Sequence, residues 1–88
     1  DLEEALDQGY LIQMEPASRL LYSDQDGQVL FWANGEGLCI SEPFIPFLQQ
    51  VANGQAIELN LDLADDEILE DLAMLLNESI VMLVPTEA

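Results

Sequence analysis

Apolar residues recur with helical periodicity in three segments of the chain. Residues 2–8 form a short one, which stops at Gly9, where a left-handed C-terminal cap is expected. Residues 44–53 form a second, followed by Gly54. The third and longest, residues 65–77, combines an apolar stripe with acidic positions on the rest of its surface. The pattern therefore predicts three helices.

Runs of apolar, aromatic and β-branched residues lie between these helices and predict strands. Two runs flank the turn-forming segment 24–27, and another follows Asn34-Gly35, the dipeptide that best suits a type I′ hairpin turn. The last run is apolar throughout and stops at Pro85, which predicts a central strand buried on both faces. The predicted strands cover residues 10–14, 19–23, 29–33, 38–40, 56–59 and 80–84.

This order of elements predicts one α+β domain over residues 1–84, with residues 85–88 as a short tail. We expect its three helices to pack on a small, mostly antiparallel sheet. The predicted core takes apolar residues from every element: Leu6, Leu11, Leu21, Leu30, Trp32, Leu38, Ile40, Phe44, Phe47, Leu48, Val51, Ile57, Ile68, Leu69, Leu72, Leu75, Leu76, Val81 and Leu83.

Charge narrows the possible functions. Among 88 residues there are 18 Asp and Glu, one basic residue (Arg19) and no histidine, which gives a formal net charge of −17. Nucleic acids and anionic membranes are excluded as partners, because binding them requires Lys and Arg. Without histidine, the chain cannot form a Ser-His-Asp triad, a Cys-His pair or a histidine-based metal site. We therefore predict no catalytic, cofactor or metal site in this chain.

Cys39 is the only cysteine, which excludes an internal disulfide and indicates a cytoplasmic protein. We expect it to be a small buried apolar residue. No apolar run approaches the ~18 residues of a membrane-spanning helix. The chain begins with Asp1 rather than Met, which suggests a piece of a longer protein.

The segment 24–27, Asp-Gln-Asp-Gly, begins like a calcium-binding loop. Such a loop requires an oxygen ligand at position 5, Gly at position 6 and Glu at position 12. Counting from Asp24, those positions hold Gln28, Val29 and Gly35, so a plain hairpin turn is favoured.

Aromatic residues of the predicted strands and helices could form a platform for a ligand. Phe31, Trp32, Phe44 and Phe47 are the candidates. Strand alternation and helical spacing already account for their positions, so packing in the core is favoured.

The acidic surface of the third helix is the candidate contact site. A cluster of carboxylates binds a divalent cation only with a suitable spacing, which is lacking here, so a solvated face is favoured over a metal site. The contact residues are Asp65, Asp66, Glu67, Glu70 and Asp71, and the rejected metal alternative also includes Asp62.

Four short motifs lie in order along the chain: Glu-Ala-Leu-Asp-Gln-Gly at 4–9, Trp-Ala-Asn-Gly-Glu at 32–36, a helix entry centred on Ser41, and Leu-Ala-Met-Leu-Leu-Asn at 72–77. In order and spacing the chain resembles the C-terminal winged-helix domain of bacterial ribosomal oxygenases, the cupin-type, Jumonji-C-related protein hydroxylases. The resemblance extends over nearly the whole chain and implies a winged-helix-like fold.

The resemblance also implies a longer, homodimeric parent protein. Its catalytic jelly-roll barrel would bind Fe(II) and 2-oxoglutarate through a His-x-Asp motif and a distal His, and would hydroxylate a ribosomal protein. None of those iron ligands can be assigned to this chain, which has no histidine.

Winged helices commonly insert a helix into the DNA major groove. Here helix 44–53 carries no charge and helix 65–77 carries only negative charge, so DNA binding is excluded. We expect an accessory domain that either packs against the catalytic domain or contacts a basic ribosomal protein through its acidic helix. The alternatives are a free-standing acidic adaptor with no enzyme attached and a mimic of nucleic acid.

Moderate salt should raise the melting temperature of the chain. Repulsion among unpaired carboxylates destabilises the folded state, and added salt screens it. Thermal unfolding followed by circular dichroism at low and moderate ionic strength measures the effect. A melting temperature that stays constant or falls would contradict it.

Overall fold

The computed structural model describes residues 2–60 and 65–85. Four consecutive strands follow the first helix, and single strands follow each of the other two helices. The three predicted helices are present, and a short 3₁₀ turn, Glu42–Phe44, precedes the second. Residues 86–88 of the predicted tail lie outside the described residues. The elements are α1 (Leu2–Asp7), β1 (Leu11–Met14), β2 (Leu20–Gln25), β3 (Gln28–Ala33), β4 (Glu36–Leu38), α2 (Ile45–Ala52), β5 (Ile57–Glu58), α3 (Asp66–Asn77) and β6 (Val81–Val84).

The described strands form two antiparallel sheets of three strands each. The first sheet has the order β5-β1-β6, and the second sheet is the meander β2-β3-β4. The predicted antiparallel pairing is therefore confirmed, and it is divided between two sheets. Helix α2 contacts both β1 and β2, so it bridges the two sheets.

The prediction of a central position for the last strand was wrong. In the first sheet β1 is central: Leu11 pairs with Glu58 of β5 on one side and with Val84 of β6 on the other. Strand β6 lies at an edge, and of its residues Val81 is buried. A continuous apolar run indicates contact on both faces of a strand, but not which strands lie beside it.

Two-residue turns set the register of the second sheet. Asn34 and Gly35 have φ values of +54° and +88°, and Asp26 and Gly27 have +54° and +80°. Positive φ at both central positions is the signature of the type I′ turn, whose twist matches that of the flanking strands. Both predicted hairpins are confirmed.

Strand β4 begins earlier than predicted. Because the Asn34-Gly35 turn uses only two residues, pairing resumes at Glu36, opposite Ala33, and ends at Leu38. Cys39 therefore follows the strand, and it is exposed rather than buried as predicted.

Each of the three described helices is followed, two positions after its last residue, by a residue with positive φ: Gly9, Gly54 and Ser79. After α3, the N–H of Ile80 donates to the carbonyl of Leu75 at 2.9 Å, and equivalent bonds follow α1 and α2. This Schellman arrangement pairs carbonyl groups that the last helical turn leaves free.

The core lies between the two sheets and the helices. Much of the predicted core is confirmed, and several residues of the set are half-buried instead. The buried apolar residues are Leu6, Ile12, Leu20, Phe31, Ala33, Phe44, Leu48, Val51, Ile57, Leu59, Ile68, Leu72, Leu75, Ile80 and Val81.

In the second sheet, the assignment of Leu21, Leu30 and Trp32 to the core was wrong, since all three are exposed. The opposite face, with Leu20 and Phe31, is buried instead. Apolar residues occupy consecutive positions in β2 and β3, so alternation does not indicate which face is inward. A shift of phase by one residue moves the whole set from one face to the other.

Aromatic and amide groups join the second sheet to α2. The rings of Tyr22 and Phe31 lie 5.7 Å apart between centroids, at 43° to each other. The side-chain amide of Asn53, at the end of α2, donates to the Tyr22 hydroxyl at 3.2 Å. The end of α2 is thereby tied to the middle of β2.

Replacing Ser79 by glycine should stabilise the fold by about 0.5–1 kcal/mol. A residue with a Cβ at φ +57° is strained, and glycine is not. The Ser18 hydroxyl donates to the backbone carbonyl of residue 79, a bond that glycine retains. Urea unfolding monitored by circular dichroism gives the free energy of unfolding.

Gly54→Ala is the matched control, because Gly54 follows α2 with φ +92° and a Cβ there would meet no atom within 4 Å. It should destabilise the fold by about 1 kcal/mol through backbone strain alone. Equal unfolding midpoints for the Ser79→Gly and Gly54→Ala variants would refute the explanation by backbone strain at positive φ.

Candidate functional site

The five candidate acidic residues all lie at α3. Asp65 immediately precedes the helix, and the others lie in its first two turns. Asp65, Asp66, Glu67 and Glu70 are exposed, whereas Asp71 is half-buried. The five carboxylates therefore differ in their exposure to solvent, and Asp71 is the least exposed.

Asp65 serves as the N-cap of α3. Its Oδ1 accepts a hydrogen bond from the N–H of Ile68 at 3.0 Å. The first amides of a helix have no partner within it, so this bond stabilises the helix start by about 1 kcal/mol. Asp66 and Glu67 follow in the first turn, where negative charge is favourable.

Asp71 joins α3 to the segment before α2. Its Oδ2 accepts from the backbone N–H of Ser41 at 2.7 Å and also from the Ser41 hydroxyl. Serine is favoured as a side-chain cap at helix starts, but Ser41 makes no capping bond to the turn that it precedes. Its hydroxyl bonds instead to a carboxylate distant in sequence.

A shallow depression lies beside this contact. It brings together three of the candidate acids, Glu67, Glu70 and Asp71, with the segment 39–41. Asp66 does not line it, but it lies one helical turn from Glu70. The free carboxylates of α3 therefore form one continuous negative surface, which we call the acidic face: Asp66, Glu67 and Glu70.

The acidic face attracts cations but does not form a metal cage. In the described ranges 2–60 and 65–85, no three His, Cys, Asp or Glu residues are placed to hold a metal ion. The exposed thiol of Cys39 lines the same depression. An Fe(II) site of the His-x-Asp type does not fit this chain, whose sequence contains no histidine.

The aromatic residues considered for a ligand platform do not come together. Phe31 and Phe44 are buried and Phe47 is half-buried, which confirms packing for these three. Trp32 is 37% exposed, on the opposite side of the second sheet from Phe31. Sequence analysis missed this exposed apolar surface because it assigned the wrong face of the hairpin to the core.

None of the described helices has the length and apolar character needed to cross a membrane.

Comparison with known proteins gives one family match. The model of the ROXA-like winged helix family matches residues 1–82. A search of the curated proteins finds no match to the chain, and neither does a search of the solved structures.

Asp71→Ala should destabilise the fold by about 2 kcal/mol. The substitution leaves the Ser41 N–H without its charged acceptor, and hydrogen bonds to charged groups contribute about that much. Urea unfolding measures the loss. Asp71→Asn should recover part of it, because an amide oxygen can accept the same bond.

Glu70→Ala is the control. It removes the same charge from the neighbouring, exposed position, and the free energy of unfolding should change by no more than about 0.5 kcal/mol. If the two alanine variants were equally stable, the Asp71 carboxylate would not hold the Ser41 segment.

Proposed function

Because this chain belongs to the ROXA-like winged helix family, we propose that it is a non-catalytic accessory domain of a ribosomal protein hydroxylase. The reaction of such an enzyme would use Fe(II) and 2-oxoglutarate bound elsewhere in the longer protein. The absence of histidine from the sequence supports this division of labour. A ribosomal substrate also fits the cytoplasmic location predicted from cysteine usage.

Two partners follow from this role. The first is the catalytic domain of the same protein, against which the accessory domain would pack. The second is a basic substrate protein, contacted through the acidic face. The observation that carries the second proposal is that three exposed carboxylates lie together on α3 while the chain has a single cation, Arg19.

The charge of α3 acts at long range. A negative surface raises the local concentration of a cationic polypeptide and accelerates its encounter. Ribosomal proteins are strongly basic as a class, so they match such a surface.

Neither of the two helices that could enter a DNA groove suits that role. Helix α2 has no charged residue, and helix α3 has only negative ones.

The test is the rate at which a lysine-rich peptide associates with the chain. The variant Asp66→Asn, Glu67→Gln, Glu70→Gln neutralises the acidic face. Asp65 and Asp71 stay unchanged, because their carboxylates cap α3 and hold Ser41. At low ionic strength the association rate should fall about tenfold, and the difference should vanish in high salt.

A control variant, Glu4→Gln, Asp7→Asn, Glu58→Gln, removes the same number of charges from exposed positions outside α3. Its association rate should change much less. Equal slowing in both variants would mean that only net charge matters and would refute a contact at α3.

A free-standing adaptor would show the same dependence on α3. The sequence of the natural protein separates the adaptor from the accessory domain, because an accessory domain requires a catalytic barrel with a His-x-Asp motif in the same protein.

A further inference from the structure

The second sheet has one face that points away from the core and carries no charge. Leu21 lies directly opposite Trp32, and Ser23 lies opposite Leu30, so all four project to the same side. We call this surface the outer face. By strand alternation, its positions in β2, β3 and β4 are Leu21, Ser23, Gln25, Gln28, Leu30, Trp32 and Gly37.

Large apolar side chains occupy the middle of the outer face. Leu21 is 60% exposed, Leu30 44% and Trp32 37%. Trp32 also lies against the neighbouring strand, since a Cβ built on Gly37 would be 4.0 Å from its Cδ1. The apolar side chains therefore cover β2 and β3 and reach Gly37 of β4. Adjoining exposed apolar side chains of this kind are typical of a binding surface.

Acidic residues lie at both ends of the second sheet. Asp24 and Asp26 lie at the β2–β3 turn and Glu36 follows the β3–β4 turn, all three exposed. Asp24 pairs with Val29 and Glu36 with Ala33, so these two residues belong to the core-facing side of their strands rather than to the outer face. An uncharged apolar surface on a strongly negative chain complements a segment that carries apolar side chains between cations. A second copy of the chain is disfavoured as the occupant, because each copy carries a net charge of −17.

We propose that the outer face binds a polypeptide segment that presents leucine-like or aromatic side chains between lysine or arginine residues. Burial of Leu21, Leu30 and Trp32 supplies affinity, and the net negative charge of the chain favours basic segments. The surface is distinct from the acidic face of α3, and this inference does not depend on the role proposed for α3.

Trp32 is the only tryptophan of the chain, so its fluorescence reports directly on the outer face. The probe is a lysine-rich peptide without tryptophan and with a central Leu-Phe pair. Titration should shift the Trp32 emission to shorter wavelength as the indole leaves water. The same peptide with serine at both apolar positions should bind about tenfold more weakly.

The variant Leu21→Ser, Leu30→Ser keeps the Trp32 reporter and removes its apolar neighbours. It should bind both peptides with the same affinity, about tenfold below that of the unmodified chain for the Leu-Phe peptide. Leu21→Gln alone changes the most exposed of the three side chains and should lower that affinity several-fold without affecting folding.

Glu67→Gln, Glu70→Gln is the control, because it weakens the acidic face and leaves the outer face intact. It should retain the preference for the Leu-Phe peptide, so failure of the α3 proposal would not affect this one. Equal affinity of the unmodified chain for both peptides, or an unshifted Trp32 emission, would overturn the inference. If the Trp32 emission shifted with rising protein concentration in the absence of peptide, the inference would be overturned, because the outer face would then bind a second copy of the chain.

Discussion

Eighteen carboxylic acids share this chain with one arginine, so ion pairs can neutralise very little of its charge. The fold is held instead by apolar burial and by hydrogen bonds in which carboxylates accept from neutral donors. Asp65 and Asp71 show how this works: an N–H or O–H group takes the place that a lysine would occupy in a balanced protein. The helix ends follow the same principle, because backbone amides rather than cationic side chains pair with the last carbonyls.

The parts of the fold that local chemistry determines could be predicted from the sequence. Asn34-Gly35 permits one kind of turn, and Gly9 and Gly54 follow helices in the one conformation that favours glycine. The parts that depend on distant residues could not be predicted. Apolar side chains lie on both faces of β3, so its inward face is decided by the elements that cover it.

The candidate site shows the same limit. Composition and spacing indicate an acidic helix, and the structure places all five acids at α3. Their separate roles depend on partners that no local pattern reveals. The hydroxyl of Ser41, a residue typical of helix starts, bonds to Asp71 from another element. Two of the five carboxylates therefore serve the fold, and three remain available to a partner.

The pairing of β1 with both β5 and β6 also has a kinetic consequence. The central strand of the first sheet lies near the start of the chain, and its two neighbours lie in the second half. Closing such long loops costs chain entropy before any contact compensates for it, which slows folding. During synthesis the second sheet, a local meander, can form early, whereas β1 must wait for β5, and then for β6, to leave the ribosome.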